Sequence, residues 1–111
     1  MAGKFEIYKD KAGEYRFRLK AGNGQNILGS EGYSKKASCM NGVESVKKNS
    51  QNEARFECHK TPSGKWTFKL KATNGQVIGT SQTYSSESGC KNGMKSVATQ
   101  SANATVDDQT A

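Results

Sequence analysis

Residues 17–25 read Phe-Arg-Leu-Lys-Ala-Gly-Asn-Gly-Gln, and residues 68–76 read Phe-Lys-Leu-Lys-Ala-Thr-Asn-Gly-Gln. In the first stretch Phe17 and Leu19 alternate with Arg18 and Lys20, the period of a half-buried strand. Asn23-Gly24 then predicts a type I′ hairpin turn, because both central residues tolerate positive φ. The second stretch repeats this at an offset of 51. The offset extends without a gap: residues 4–52 align with residues 55–103, and about 22 of the 49 pairs are identical. The chain is a duplication, and two copies are too few for a solenoid, so a pseudo-two-fold domain is expected.

The pattern continues on both sides of the turn. Phe5 and Ile7 alternate with Glu6 and Tyr8, which predicts an opening strand, and Asp10-Lys11-Ala12-Gly13 supplies turn chemistry after it. A third strand is expected near residues 25–30, with Ile27 as the apolar residue both copies share. The second copy has Phe56 and Cys58, then Trp66, Phe68 and Leu70, then Ile78. Its first turn holds Pro62, where a fixed φ helps and no ladder N–H is lost. The period then changes to that of a helix: Cys39, Val43 and Val46 fall at i, i+4 and i+7, and Cys90, Met94 and Val97 repeat the stripe. Ser34 and Ser85 are the expected N-caps. Gly42 and Gly93 lie inside these helices at a cost of about 0.5–1 kcal/mol each, and their matched positions predict close approach of helix to sheet.

A short trailing strand is expected after each helix, near residues 54–57 and 104–107, the first merging with the opening strand of the second repeat. A lone β-β-β-α unit leaves a sheet edge exposed. Two units sharing one continuous antiparallel sheet, with both helices on one face, solve that problem. The expected fold class is therefore α+β. One domain spans residues 1–111, with repeat one at 4–52, repeat two at 55–103, and a polar tail at 108–111 that is expected to fray.

Composition bounds the rest. The chain has 111 residues, enough for one modest core and not for a large enzyme with a deep cleft. Lys plus Arg number 17 against 10 Asp plus Glu, a formal net charge of +7. Such a charge favours a polyanionic partner but bears on association rather than fold. No apolar run follows Met1-Ala2-Gly3-Lys4, against a signal peptide. No stretch approaches the ~20 apolar residues that span a membrane. Cys39, Cys58 and Cys90 are an odd count without framework spacing, and a cytoplasmic protein with reduced thiols is expected.

The residues also carry a resemblance. Lys20-Ala21-Gly22-Asn23-Gly24-Gln25, Tyr33-Ser34 and Asn41-Gly42-Val43-Glu44-Ser45-Val46, with Leu70 to Gln76 and Gly93-Met94-Lys95-Ser96-Val97 in the second copy, resemble the bacterial YegP-like family over nearly the whole chain. The resemblance implies tandem β3-α-β repeats that assemble one continuous sheet and exchange their C-terminal strands. That family has no established catalytic or binding residues, so the resemblance implies a fold and no site.

Little of the sequence points to catalysis. The three cysteines read as small buried hydrophobes, no CxxC occurs, and no metal or cofactor is expected. Cys58 and His59 are adjacent on a strand and so point to opposite faces. His59 aligns with Tyr8 and reads as an exposed strand residue. Asn23-Gly24 and Asn74-Gly75 join strand to strand, so they are turns and not phosphate loops. Glu6 and Glu57 are repeat mates; a carboxylate pair near the pseudo-two-fold would need one raised pKa, and salt bridges to neighbouring Lys or Arg are the favoured reading. The sheet face away from the helices carries Lys4, Arg55 and the candidate binding residues Tyr8, Arg16, Arg18, Lys20, His59, Lys65, Lys69 and Lys71. Basic residues interleaved with rings on an open sheet suit nucleic acid, through backbone charge and base stacking, or an acidic protein surface. A merely solvated face is the plainer reading, since no RNP-like aromatic motif is present. The expectation is a small non-enzymatic basic binding module, monomeric with at most weak self-association. The alternative is a structural or assembly protein that pairs through sheet edges.

Overall fold

A computed structural model describes residues 3–110. Repeat one forms β1 (Lys4–Lys9), β2 (Tyr15–Lys20), β3 (Asn26–Gly29) and α1 (Lys36–Asn49). A 3₁₀ turn (Glu53–Arg55) leads into β4 (Phe56–Lys60), β5 (Trp66–Lys71), β6 (Val77–Thr80), α2 (Glu87–Ala102) and β7 (Thr105–Asp108). All seven strands form one sheet in the order β4-β5-β6-β3-β2-β1-β7. The halves join through β3 and β6 at Gly29↔Thr80, and the hydroxyls of Ser50 and Ser101 meet at 2.8 Å. Both pairs are separated by the repeat offset, so both mark the pseudo-two-fold axis.

Phe5, Ile7, Phe17, Leu19, Phe68 and Leu70 point from the sheet onto the helix stripes of Cys39, Val43 and Val46 and of Cys90 and Val97, all fully buried. Phe17 stacks on Tyr33 and Phe68 on Tyr84, with ring centroids 6.4 and 6.2 Å apart. These tyrosines explain the helix glycines. A Cβ on Gly42 would lie 2.7 Å from Tyr33 Oη and 2.8 Å from Phe17 Cε2, and Gly93 meets Tyr84 and Phe68 in the same way. At the axis the two-fold must break. Leu28 fills the space over Gly79, where a Cβ would sit 2.7 Å from its side chain. Two leucines cannot occupy that space at once, and repeat two has glycine there.

Several expectations are corrected. The sheet is mixed, not wholly antiparallel, because β7 runs parallel to β1. The end of α2 lies beside the start of β1, where Gln100 abuts Gly3. β7 therefore leaves from that end and runs alongside β1. Only β7 crosses to the other repeat. The trailing segment expected at residues 54–57 merges with β4 from Phe56 onward, as expected, but Ala54 and Arg55 belong to the 3₁₀ turn, with Asn52 Oδ1 accepting from the Ala54 N–H. The tail is tied down through Thr110: the Gln109 N–H donates to the Ile7 carbonyl at 2.8 Å, and Thr110 donates to the Asp108 carboxylate. Ala111 lies outside the described residues. The Asn-Gly turns are not type I′, since Gly24 and Gly75 have positive φ and, among the described residues, no non-glycine residue does. The Gly24 N–H donates to the Ala21 carbonyl and the Ala21 N–H to the Gln25 carbonyl, a type I turn closed by a glycine bulge. Helix α2 is capped by Ser86, one residue later than expected, with its hydroxyl accepting from the Gly89 N–H. Lys35 occupies the cap of α1 and offers no acceptor.

Candidate binding face on the open side of the sheet

Strand alternation places Glu6 and Tyr8 of β1, and Arg16, Arg18 and Lys20 of β2, on the face away from the helices, in the register Glu6↔Arg18 and Tyr8↔Arg16. Here the cations are already engaged. Glu6 is 4% exposed and acts as the hub. Arg18 Nε donates to it at 2.7 Å, Lys20 Nζ lies at 3.3 Å and Lys4 Nζ at 3.7 Å. Gln109, brought in by β7, donates to its second oxygen at 3.1 Å. The Arg18 hydrogen bond, helped by Lys20, holds the Glu6 carboxyl below the ordinary carboxylate range against the opposing effect of burial. The Arg18 guanidinium also lies over the Tyr8 ring, 4.4 Å from its centroid. Arg16 donates to Asp10 at 2.7 Å, and that bond, with backbone N–H groups of Glu14 and Ala12, lowers the Asp10 carboxyl.

The second half carries the same strands with fewer anions. Lys71 pairs with Glu57 at 2.6 Å, and Glu57 is half exposed, its carboxyl lowered by that lysine. Among the described residues no carboxylate lies within ion-pairing distance of Arg55, Lys65 or Lys69. His59 is half-buried in register with Thr67, and its Nδ1 has no hydrogen-bond partner. The eight candidate residues therefore split by repeat. Tyr8, Arg16, Arg18 and Lys20 form one internally paired network, and His59, Lys65, Lys69 and Lys71 a second, less neutralised strip.

The carboxylate pair considered for Glu6 and Glu57 does not form. The two residues sit on β1 and β4, with four strands between them, or roughly 24 Å at ordinary strand spacing. Each takes its own cations, as the salt-bridge reading had it. Two features lay outside the sequence reading. Gln109 and Asp107 reach the Glu6 cluster only because β7 crosses the molecule, and no local pattern encodes that. Cys58 is half-buried rather than buried, and its sulfur lies 2.8 Å from that of Cys90 across the β4–α2 interface. Burial first, then the Cys58 contact, pushes the Cys90 thiol up to about 12. No helix is long and apolar enough to cross a membrane among the described residues.

Comparison with known proteins agrees with this architecture. The profile of a family described as a domain of unknown function (DUF1508) matches twice, over residues 10–57 and 62–108. A UPF0339 protein of Stutzerimonas stutzeri is 60% identical over 97 residues, 87% of each chain. The UPF0339 protein YegP of Escherichia coli is 44% identical over 110 residues, 99% of this chain and 100% of its own. The solution NMR structure of yegP from E. coli, titled a protein of unknown function, superposes with a TM-score of 0.93, covering 98% of this chain and 94% of that one. A UPF0339 protein from Shewanella oneidensis, also solved by NMR, gives 0.91 at 46% identity over 97% and 92%. With both repeats matched and the sheet, helices and crossing strand in place, the chain belongs to the DUF1508 family, in the YegP-like form that carries the unit twice.

Proposed function

We propose that the chain is a small non-enzymatic binding module whose open sheet face takes a polyanion, with the second repeat making the larger contribution. The observation that carries this reading is the imbalance on β4 and β5. Arg55, Lys65, Lys69 and Lys71 share one half-exposed carboxylate, Glu57, whereas the first-repeat cations are spent on Glu6, Asp10 and Asp107. The buried carboxylate Glu6 is held ionised by cations, which suits a structural hub and not a proton donor near neutral pH. Single-stranded nucleic acid matches a flat basic strip with a partly exposed ring, here His59.

The test is an NMR titration of ¹⁵N-labelled protein with octathymidylate. Shifts should cluster at His59, Lys65, Lys69 and Lys71. Contact with about three phosphates gives an affinity loss of about 20-fold between roughly 50 and 200 mM salt. Lys69→Glu should weaken binding several-fold more than Arg16→Glu, because the Arg16 guanidinium is already held by Asp10. Absence of shifts at low salt, or equal effects of the two substitutions, overturns the reading.

A further inference from the structure

The two outer edges of the sheet are unlike, although the repeats that build them match. At one end β7 covers β1 in parallel register, from Lys4↔Thr105 to Ile7↔Asp108. The Thr105 N–H donates to the Gly3 carbonyl and the Gln109 N–H to the Ile7 carbonyl. At the other end β4 is the last strand among the described residues. By the repeat offset Ile7 corresponds to Cys58 of β4, and among the described residues no strand lies beyond it. The cause is the tandem linkage. Residues 105–108 correspond to residues 54–57, and those are consumed as the 3₁₀ turn and β4 itself.

Burial records the missing strand. Phe5, Ile7 and Val43 are fully buried, whereas their counterparts Phe56, Cys58 and Met94 are only half-buried. Beside Phe56 and Met94 runs a groove of about 260 Å³, lined by two lysines, Lys91 and Lys95, and one carboxylate, Glu53. The counterparts of these lysines are Met40 and Glu44, so the basic rim belongs to this edge alone. Arg55 stands where Lys4 stands, and Lys4 lies 3.9 Å from Asp107 of β7.

We propose that the β4 edge is a docking site for an extended, acidic segment of another protein, added to the sheet as a parallel strand. One apolar side chain of the segment packs over Phe56 and Met94, and the next residue, a carboxylate, meets Arg55. β7 displays this pattern within the molecule: Val106 stands opposite Phe5, and Asp107 stands opposite Glu6 within reach of Lys4. Main-chain hydrogen bonds supply affinity in strand addition, and alternate side chains supply specificity. A second copy of this chain is the poorer occupant. Pairing two β4 edges brings Arg55, Lys60, Lys91 and Lys95 against their own likenesses on a chain of charge +7, and donating β7 to a neighbour bares the β1 edge. The proposal does not rest on the open-face reading, although Arg55 belongs to both surfaces.

The probe is the acetylated, amidated octapeptide of residues 103–110, Asn-Ala-Thr-Val-Asp-Asp-Gln-Thr, titrated to millimolar concentration into ¹⁵N-labelled full-length protein. Saturable shifts are expected at Phe56, Cys58, Lys60 and Met94. Val106 is itself 37% exposed on β7, so the peptide carrying Val106→Asp should bind several-fold more weakly, as a partial apolar contact gives way to a charge. Lys95→Glu, an exposed substitution that leaves the core untouched, should weaken the native peptide as well. Absence of saturable shifts on β4, or shifts confined to β1 and β7, overturns the proposal. So does sedimentation showing that the protein self-associates through β4 and that the peptide does not displace it, which assigns the edge to a second copy.

Discussion

Glu6 and Glu57 are the same residue of two matched repeats in unlike surroundings, so substituting each by glutamine isolates the environment. The Glu6 side chain is 6% exposed and is gripped by Arg18 at 2.7 Å, Lys20 at 3.3 Å and Lys4 at 3.7 Å. A hydrogen bond to a charged group contributes about 1.5–3 kcal/mol. The two lysines add little, because their side chains are 30% and 46% exposed and solvent screens them. Glutamine keeps an acceptor for Arg18 but leaves three cations without their anion. Glu6→Gln should therefore cost about 2 kcal/mol, a fall in Tm of about 8 °C for a domain of this size. Glu57, 53% exposed with one lysine partner, should tolerate Glu57→Gln with a midpoint near that of the parent chain. The pH dependence checks the cause. The folded Glu6 carboxyl lies below its unfolded value, so its contribution is fully present above about pH 4.3 and is lost as pH falls through the folded value. Glu6→Gln should flatten that acid limb in urea denaturation followed by circular dichroism. Equal losses from the two substitutions, or an unaltered acid limb, would refute the hub.

Three further outcomes are expected. Gly42→Ala should destabilise by about 1–2 kcal/mol in urea denaturation even though alanine is the better helix former, because its Cβ meets Tyr33 Oη at 2.7 Å and Phe17 Cε2 at 2.8 Å; a stabilised variant would show that the helix stands off the sheet. Under mild diamide oxidation the Cys58–Cys90 disulfide should form and Cys39 stay free by peptide mass mapping, since the first two sulfurs are 2.8 Å apart; the reaction should quicken with rising pH as thiols ionise, and a disulfide that includes Cys39 counts against the geometry. Asp108, held down to about 2 by Lys36 and then the Thr110 hydroxyl, should keep the end of β7 clasped until pH falls through that value; hydrogen exchange at the Gln109 amide reads this, and protection lost already near pH 4 would contradict it.

The elements were legible because each repeats. Phe17-Arg18-Leu19-Lys20 and its copy show strand period twice, and Cys39, Val43 and Val46 show helix period twice, so a chance match at one position is corrected by the other. Gly42 and Gly93 carried tertiary information for the same reason: a costly residue kept at both positions signalled a close approach, and Tyr33 and Tyr84 are what approaches. What escaped was whatever breaks the repeat. The parallel direction of β7 is set by where α2 ends, and side-chain alternation fixes a strand's faces but not its sense. The Ser85 cap failed by one residue because Ser86 is an equally good acceptor next door, and the Ser34 cap failed because α1 starts after Lys35, with no side-chain cap. On the open face, alternation groups Tyr8, Arg16, Arg18 and Lys20 of β1 and β2 on one side, in the register Glu6↔Arg18 and Tyr8↔Arg16. It gave no hint that Gln109, from the far end of the chain, would help bury Glu6, nor that Arg16, Arg18 and Lys20 are already satisfied.

The difference between the halves has one cause. β7 contributes Gln109 and Asp107 to the cluster around Glu6, closes the edge over Phe5 and Ile7, and anchors Lys36 through Asp108. Among the described residues nothing equivalent reaches β4, because joining the repeats in tandem turned the matching residues into the 3₁₀ turn and the start of the next strand. Glu57 is consequently half exposed and Arg55 and Lys69 are left without carboxylate partners, while Phe56 and Met94 are half uncovered. The free cations and the open edge thus lie side by side on the second repeat. An acidic strand docked on β4 would place its carboxylate against Arg55, as Asp107 stands against Lys4, and would remove one cation from the open face. Binding at the edge and binding of a polyanion on the face should therefore oppose one another. Saturating octapeptide should weaken octathymidylate binding, and it should do so less when Arg55→Gln has already removed the shared charge.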